Sequence, residues 1–383
     1  MNIGIDITPI IYQRGVSRYT SNLIKSLAKR KNINLSLYGS SFRQKDVLRK
    51  LAKQLIKTSK GKNTSKIQGL PPSLLSLAWR FGFNKIKTQI PQIEAFHSWD
   101  WLQPPDKDLA LISTIHDLAI LKFPETAHPK ILKAHQRSWK ILKERQARII
   151  AVSHATKKDI INFLEIPAWQ ITVIHEAMPI EVEETSESLT EEEYQEIKKR
   201  LALDRPYLFF IGTREPRKNL SRLVQAWEAL AKDYQLIIAG EAGWDATSKQ
   251  NFKSNHPQLR FLGRVTDQEL AVLYGEAKIF VYPSLYEGFG LPILEAFYHG
   301  TPVVTSNLDS FIEVAGNAAE YAEPKSIESI QQAIKKVLNE SKDKEQERLQ
   351  RMIIRMQMFS WDKVAEETIK VYQKAIEEKK LTT

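Results

Sequence analysis

Short apolar runs alternate with helix-length amphipathic segments along almost the whole chain, in two blocks. In the first, strand-like runs at Asn2–Ile7, Ile33–Tyr38, Ile93–His97, Leu109–Ile115, Arg148–Val152 and Ile171–Ile174 are separated by segments long enough for helices. That is the pattern of a parallel sheet covered on both faces. In the second block, runs at Tyr207–Ile211, Gln235–Ala239, Gln258–Leu262, Lys278–Tyr282 and Thr301–Thr305 repeat it. The fold class expected is α/β, with two Rossmann-like domains. Between the blocks, Glu181–Glu196 holds eight glutamates, and Thr190 with Glu193 reads as a capping box before a helix Glu191–Leu201. The boundaries read from this are a first domain at 1–180, an acidic linker and helix at 181–203, a second domain at 204–360 and a final segment at 361–383, amphipathic over Trp361–Lys379. No short-period repeat is present.

The most informative stretch is Ser284–Glu295, SLYEGFGLPILE, which follows a strand-like run and opens a helix. Gly288 and Gly290 permit a sharp turn and close approach to a ligand, and Pro292 is preset for a first helical turn, so free N–H groups point beyond the strand. Glu287 and Glu295 flank this phosphate cradle. Carboxylates repel phosphates but accept hydrogen bonds from hydroxyls. A ligand with both groups, a nucleotide sugar, suits the pair. Four further loops follow strand-like runs: Gln13–Thr20, with Gly15 and Ser17 ahead of a helix Arg18–Lys29; Phe96–Trp101, with Trp99 and Trp101 available for packing or for stacking on a sugar; Thr114–Leu118, with His116 and Asp117; and Ala151–Asp159, where capping accounts for Ser153. Strand-end loops carry function disproportionately. Arg217 and Lys218, just beyond the first strand of the second block, supply fixed positive charge for a leaving diphosphate without a metal. The Asp-x-Asp of the chain, Asp106-Lys-Asp108, reads as surface.

Composition narrows the chemistry. The 383 residues are long enough for two cored domains, 42% hydrophobic and 26% charged, and no cysteine occurs, which excludes disulfides and thiolate chemistry. No signal peptide or bilayer-length apolar run is read, so a cytoplasmic location is expected. The net charge of +11 is uneven: residues 41–90 carry 12 basic side chains against Asp46, and the remainder is neutral overall. Within that region lies the apolar and aromatic Leu70–Phe83. Either it meets an anionic membrane surface or lipid-diphosphate acceptor, making the protein peripheral at the inner face, or it is a solvated helix followed by a core helix. The basic balance also raises nucleic-acid binding, but no nucleic-acid motif accompanies it, and no nucleic-acid partner is expected.

E-G-F-G-L-P-x-x-E over Glu287–Glu295, preceded by Gly212-Thr-Arg-Glu-Pro-Arg-Lys-Asn219 about 75 residues earlier, resembles the retaining glycosyltransferases of family 4. The resemblance implies a GT-B fold: an N-terminal acceptor domain and a C-terminal nucleotide-sugar domain facing each other across a cleft, with the last helix crossing back to the N-terminal domain. It implies that Gly15 approaches the donor phosphate and acceptor, and that His116 and Asp117 contact the transferred sugar. Ser153 would lie near the cleft. Gly212, Arg217 and Lys218 would bind the diphosphate, with Arg214 an additional candidate. Glu287, Gly288 and the backbone of Phe289, Gly290 and Leu291 would hold the sugar, and Glu295 the ribose. No cofactor or metal is implied. The partners are then a nucleotide sugar, GDP-mannose first and UDP-sugars next, and a glycan or lipid-linked acceptor in polysaccharide or cell-surface glycan synthesis. A noncatalytic nucleotide-sugar scaffold is the alternative.

Overall fold

The computed structural model describes residues 1–12, 15–57, 61–241 and 256–381. They form two compact units. The first comprises Met1–Leu121, Ala127–Glu176 and Ser360–Thr383, the second Lys122–Thr126 and Ala177–Phe359.

The first unit is built on a seven-stranded parallel sheet of β1 (Asn2–Asp6), β2 (Asn34–Ser40), β3 (Thr64–Gln68), β4 (Ala95–Trp99), β5 (Ala110–Ile115), β6 (Arg148–Ala151) and β7 (Ile171–Val173), in the order β3-β2-β1-β4-β5-β6-β7. β4, β5 and β6 are buried at every position, as strands covered on both faces must be. In the second unit β8 (Tyr207–Ile211), β9 (Gln235–Ala239), β10 (Leu259–Gly263), β11 (Ile279–Tyr282), β12 (Val303–Ser306) and β13 (Glu320–Ala322) form a parallel sheet in the order β10-β9-β8-β11-β12-β13. Both orders reverse direction once, between β1 and β4 and between β8 and β11. Open α/β sheets bind ligands at the carboxyl ends of the strands beside such a reversal.

Two strands absent from the hydrophobic pattern, β3 and β13, lie at sheet edges. β3 reads Thr-Ser-Lys-Ile-Gln and exposes its first three residues, so it carries no apolar run to detect. The first helix spans Gly15–Ala28, about a turn earlier than Arg18, because Ser17 turns inward and its hydroxyl donates to the Ile10 carbonyl at 2.8 Å. The Asp-x-Asp reading needs correcting. Asp106 is fully buried rather than at the surface, and its carboxylate accepts from the Ile86 and Lys87 amides, both at 2.9 Å, capping the short helix Ile86–Gln89. Asp108 alone is exposed, paired with Lys87 at 2.8 Å.

The capping box at Thr190 and Glu193 is present, and the helix runs Glu191–Arg200. The acidic stretch before it is itself helical, over Ile180–Ser188. The last helix, Trp361–Leu381, returns to the first unit and buries Trp361, Val364, Ile369, Tyr372 and Ile376 there. Its Tyr372 hydroxyl meets His97 Nδ1 of β4 at 2.7 Å, and its Glu378 pairs with the buried Arg148 of β6, Nε to Oε2 at 2.7 Å.

Candidate active site

In the second unit the sequence motifs converge at the β8/β11 reversal. After β8 the chain passes through Gly212 into a single turn, Pro216–Lys218. Asn219, in a left-handed conformation, closes that turn, and its Nδ2 donates to the carbonyls of Pro283 (2.9 Å) and Pro324 (2.6 Å). The loop after β8 is thereby fastened to the loop after β11, and the Leu285 amide donates to the Arg217 carbonyl at 2.7 Å.

This fastening brings Arg217 and Lys218 onto Glu287, which lies 69 residues beyond Lys218. Arg217 Nη1 lies 2.8 Å from Glu287 Oε2, and its Nε donates to Glu215 at 2.9 Å. Lys218 Nζ donates to Glu287 Oε1 at 2.5 Å and to the Tyr282 hydroxyl at 2.7 Å; that hydroxyl in turn donates to Glu287 at 3.1 Å. Burial opposes ionisation of Glu287, but Lys218 and then Arg217 outweigh it and hold the carboxyl down to about 2. Burial also draws the Lys218 ammonium below its ordinary value, with Glu287 resisting and Arg217 adding to the fall. Glu287 therefore has a structural role within the cluster. It holds two cations in fixed positions before any ligand arrives, the preorganisation that makes charge effective against charge developing in a transition state. Arg214 stands apart from this cluster, with its guanidinium stacked over Phe261 at 5.3 Å.

Next to the cluster, Gly288 is buried and Gly290 caps the helix Leu291–Tyr298 at φ +119°, with Pro292 in the first turn. A Cβ on Gly290 would stand 2.9 Å from the Phe311 ring. Phe289 is buried with its ring edge against Phe359 at 5.7 Å. Leu291 is half-buried at the helix start. Glu295 is buried and accepts from the Tyr274 hydroxyl at 3.1 Å.

In the first unit, Gly15 is exposed at the start of its helix; Gln13 and Arg14 of the same loop lie outside the described residues. Trp99 packs, as its position at the end of an apolar strand suggests. It is buried, and its indole N–H donates to the Asp6 carbonyl at 2.8 Å, joining β4 to β1 across the reversal; Trp101 stacks on it with centroids 6.3 Å apart. Ser153 caps the helix His154–Leu164 by accepting from the Thr156 amide at 2.9 Å. Asp117 accepts from the Ala119 amide at 2.7 Å and so shapes the turn after β5.

His116 has a different environment. Its Nδ1 lies 2.7 Å from Glu176, a buried carboxylate just beyond β7. The imidazole ring stands edge to face with Tyr19 (4.7 Å) and parallel to Trp99 (6.1 Å). Burial would lower its basicity, but the hydrogen bond and charge of Glu176, with Asp100 and Asp117 behind them, raise it above the ordinary histidine value. Glu176, Tyr282, Tyr274 and Glu215 were not singled out from the sequence. Position at a strand's carboxyl end was the available signal for Glu176.

A family model described as "Glycosyltransferase Family 4" matches residues 13–182, and one described as "Glycosyl transferases group 1" matches residues 192–355. The O-antigen chain mannosyltransferase B of Escherichia coli is 33% identical over 270 residues, 68% of this chain and 70% of that protein. The chain belongs to glycosyltransferase family 4. This glycosyltransferase is also 28% identical to the O-antigen chain mannosyltransferase RfbU of Salmonella typhimurium over 227 residues, 58% of this chain and 60% of the other. The solved structure of Alr3699/HepE from Anabaena, in complex with UDP and glucose, superposes with a TM-score of 0.68 over 98% of this chain and 100% of that one, at 15% identity. The two Rossmann-like units and the returning last helix make this family 4 glycosyltransferase a GT-B fold.

Proposed function

We propose that this glycosyltransferase moves a mannosyl group from GDP-mannose, with UDP-sugars as the next class, to a glycan or lipid-linked acceptor in polysaccharide or cell-surface glycan synthesis. The observation that carries the reading is the Arg217–Lys218–Glu287 cluster beside the Gly290-capped helix start and Glu295, at the reversal where α/β sheets take nucleotides. Mannose as the sugar rests on the two O-antigen mannosyltransferases to which the chain is similar. The charge that grows on the departing diphosphate is met by Arg217 and Lys218 without a metal. The C1–O bond to the β-phosphate breaks, with its electrons passing to that phosphate. The acceptor oxygen bonds C1 on the same face, and the acceptor proton passes to the leaving phosphate. The product keeps the donor's anomeric configuration, and His116 contacts the transferred sugar.

Donor binding is tested by thermal shift against a panel of GDP- and UDP-sugars. A ligand at 100 times its Kd stabilises by about 2.7 kcal/mol. Glu295→Ala removes hydrogen bonds to a ribose, at about 1–3 kcal/mol, and should abolish most of the GDP-mannose shift. A shift with UDP-sugars alone would replace the donor. No shift with any nucleotide sugar would refute the reading.

The first unit also supports peripheral attachment at the inner membrane face. No helix among the described residues is long and apolar enough to cross a membrane. The helix Pro72–Arg80 turns Leu75 and Trp79 into the core, yet Leu74, Leu77 and Phe81, spaced three and four apart on its other side, are exposed, and Phe42 and Phe83, within the same basic region 41–90, are 69% and 70% exposed. Apolar side chains in the chain's most basic stretch suit an anionic lipid surface and disfavour pairing with a second, equally basic copy. Cosedimentation with vesicles containing an anionic phospholipid should show binding that falls several-fold in Phe81→Ser/Phe83→Ser and in zwitterionic vesicles. Equal recovery of parent and variant with both vesicle types would exclude this attachment.

A further inference from the structure

The His116–Glu176 pair has a feature that the donor reading leaves unexplained. Nδ1 is committed to Glu176 at 2.7 Å, whereas Nε2 is covered and has no hydrogen-bond partner among the described residues. An unsatisfied buried nitrogen costs about 1–3 kcal/mol, and this one stands on the residue that follows β5 at the carboxyl edge of the sheet. The other end of the ring is over-determined. The Ile174 amide donates to the Ala151 carbonyl at 2.9 Å, prolonging the β6–β7 pairing to within two residues of Glu176. Thr156 Oγ1 donates to the His116 carbonyl at 3.2 Å, and Tyr19 and Trp99 hold the ring in place.

We propose that Glu176 is the positioning residue for His116: its carboxylate fixes the ring through Nδ1–H and balances a positive charge on it, so that Nε2–H is presented to a hydroxyl oxygen of the transferred sugar. The ring neither gains nor loses a proton in the transfer. It is a fixed donor, and its charge roughly doubles the strength of the hydrogen bond it gives. This deepens the function proposed above and rests on it.

Every element packed around the ring agrees with a cationic His116. Glu176 follows β7, Asp117 is the next residue, and Asp100 follows β4. Asp100 is shared with His135, whose Nδ1 lies 3.3 Å away and whose basicity burial lowers and Asp100 raises, with a net rise. His97, on β4, is pushed down to about 3 by burial and then by His116, so it sits neutral between the Tyr372 and Thr114 hydroxyls and does not compete for charge. Tyr19, on the first helix, is held neutral by burial.

The sign of the pH dependence follows. His116 is raised above 6.5, so the cation and the rate that depends on it are complete below that value and are lost as pH climbs through the raised one. Glu176→Gln keeps an oxygen that can accept from Nδ1–H but removes the charge, leaving burial to pull the ring downward.

The test uses the full chain labelled with 15N-histidine, with the His116 resonances assigned by their loss in His116→Asn. In Glu176→Gln the His116 titration midpoint should fall by about one unit or more. The alkaline limb of kcat for GDP release from GDP-mannose with acceptor should move by the same interval. GDP affinity should stay within about twofold, since the nucleotide cluster lies in the other unit, and that retained binding also reports folding. Glu176→Asp should recover part of the midpoint. An unchanged midpoint overturns the pairing. A moved midpoint with a superimposable pH–rate profile overturns its role in transfer. If the parent chain turns over no nucleotide sugar, the donor reading fails, while the titration still decides whether Glu176 sets the charge of His116.

Discussion

Lys218→Ala should lower kcat for sugar transfer by about two to three powers of ten, the usual cost of removing one preorganised donor from a site of developing negative charge. The expectation rests on how little freedom this ammonium has. It is 8% exposed, donates to Glu287 at 2.5 Å and to Tyr282 at 2.7 Å, and stands on the turn that Asn219 fastens to the β11 loop. A group held so firmly meets the leaving phosphate without reorganising. The variant should still fold, because Glu287 keeps Arg217 at 2.8 Å and is not left as a lone buried charge. GDP affinity should therefore fall far less than kcat, and steady-state kinetics beside nucleotide titration separates the two. Lys218→Arg should not rescue the rate, since a planar guanidinium cannot occupy the position of a compact ammonium between a carboxylate and a phenol. A kcat within threefold of the parent in Lys218→Ala would move the cationic role to Arg217 or elsewhere.

The second large effect is expected at Gly290. Its φ of +119° and ψ of 46° lie where an L-residue with a Cβ is strained by about 1–3 kcal/mol. The added carbon would also fall 2.9 Å from a Phe311 ring that is fully buried and packed on Tyr282, with centroids 5.4 Å apart. Neither ring can withdraw cheaply, and Tyr282 carries the hydroxyl that joins Lys218 to Glu287. Gly290→Ala should lower Tm by roughly 5–10 °C, at about 2–4 °C per kcal/mol for a unit of this size, and weaken GDP binding about tenfold. Gly15→Ala is the contrast: a Cβ there meets nothing within 4 Å among the described residues, and Tm should move by no more than about 1 °C. Equal melting of the two variants would show that the turn at Gly290 tolerates a side chain.

The sequence reveals what repeats along the chain and hides what is brought together across it. β4, β5 and β11 are wholly buried and rich in apolar side chains, broken only by His97, Ser98, Ser113 and Thr114, so their positions can be read directly. β3 escapes because an edge strand of Thr-Ser-Lys-Ile-Gln owes its conformation to pairing with β2, which no local pattern records. Capping is local and reads well at Thr190, but Asp106 caps a helix 20 residues earlier in the chain, and its type and neighbourhood resemble a surface loop. The same distinction runs through the candidate site. Arg217, Lys218, Glu287 and Glu295 stand in motifs, whereas the ion pairing of Glu287 with both cations depends on β8 and β11 being neighbours. Glu176 reaches His116 from 60 residues away, in a segment whose residue types suggest nothing but a strand end.

The return of the last helix to the first unit sets the order in which the protein can be finished. Chains emerge from synthesis N-terminus first, and domains ordinarily fold as they appear. Here the earliest unit must wait. Until Trp361–Leu381 is made, the first unit lacks Tyr372, Glu378 and Asp362, which bond to its His97, Arg148 and Arg30, and the apolar side chains that cover part of its core. The second unit, lying between the two contributions in the chain, has all its residues available before the first is closed. The half that carries His116 thus acquires its final packing after the half that carries the nucleotide cluster, and the helix Trp361–Leu381 acts as the closing step of the fold that was begun first.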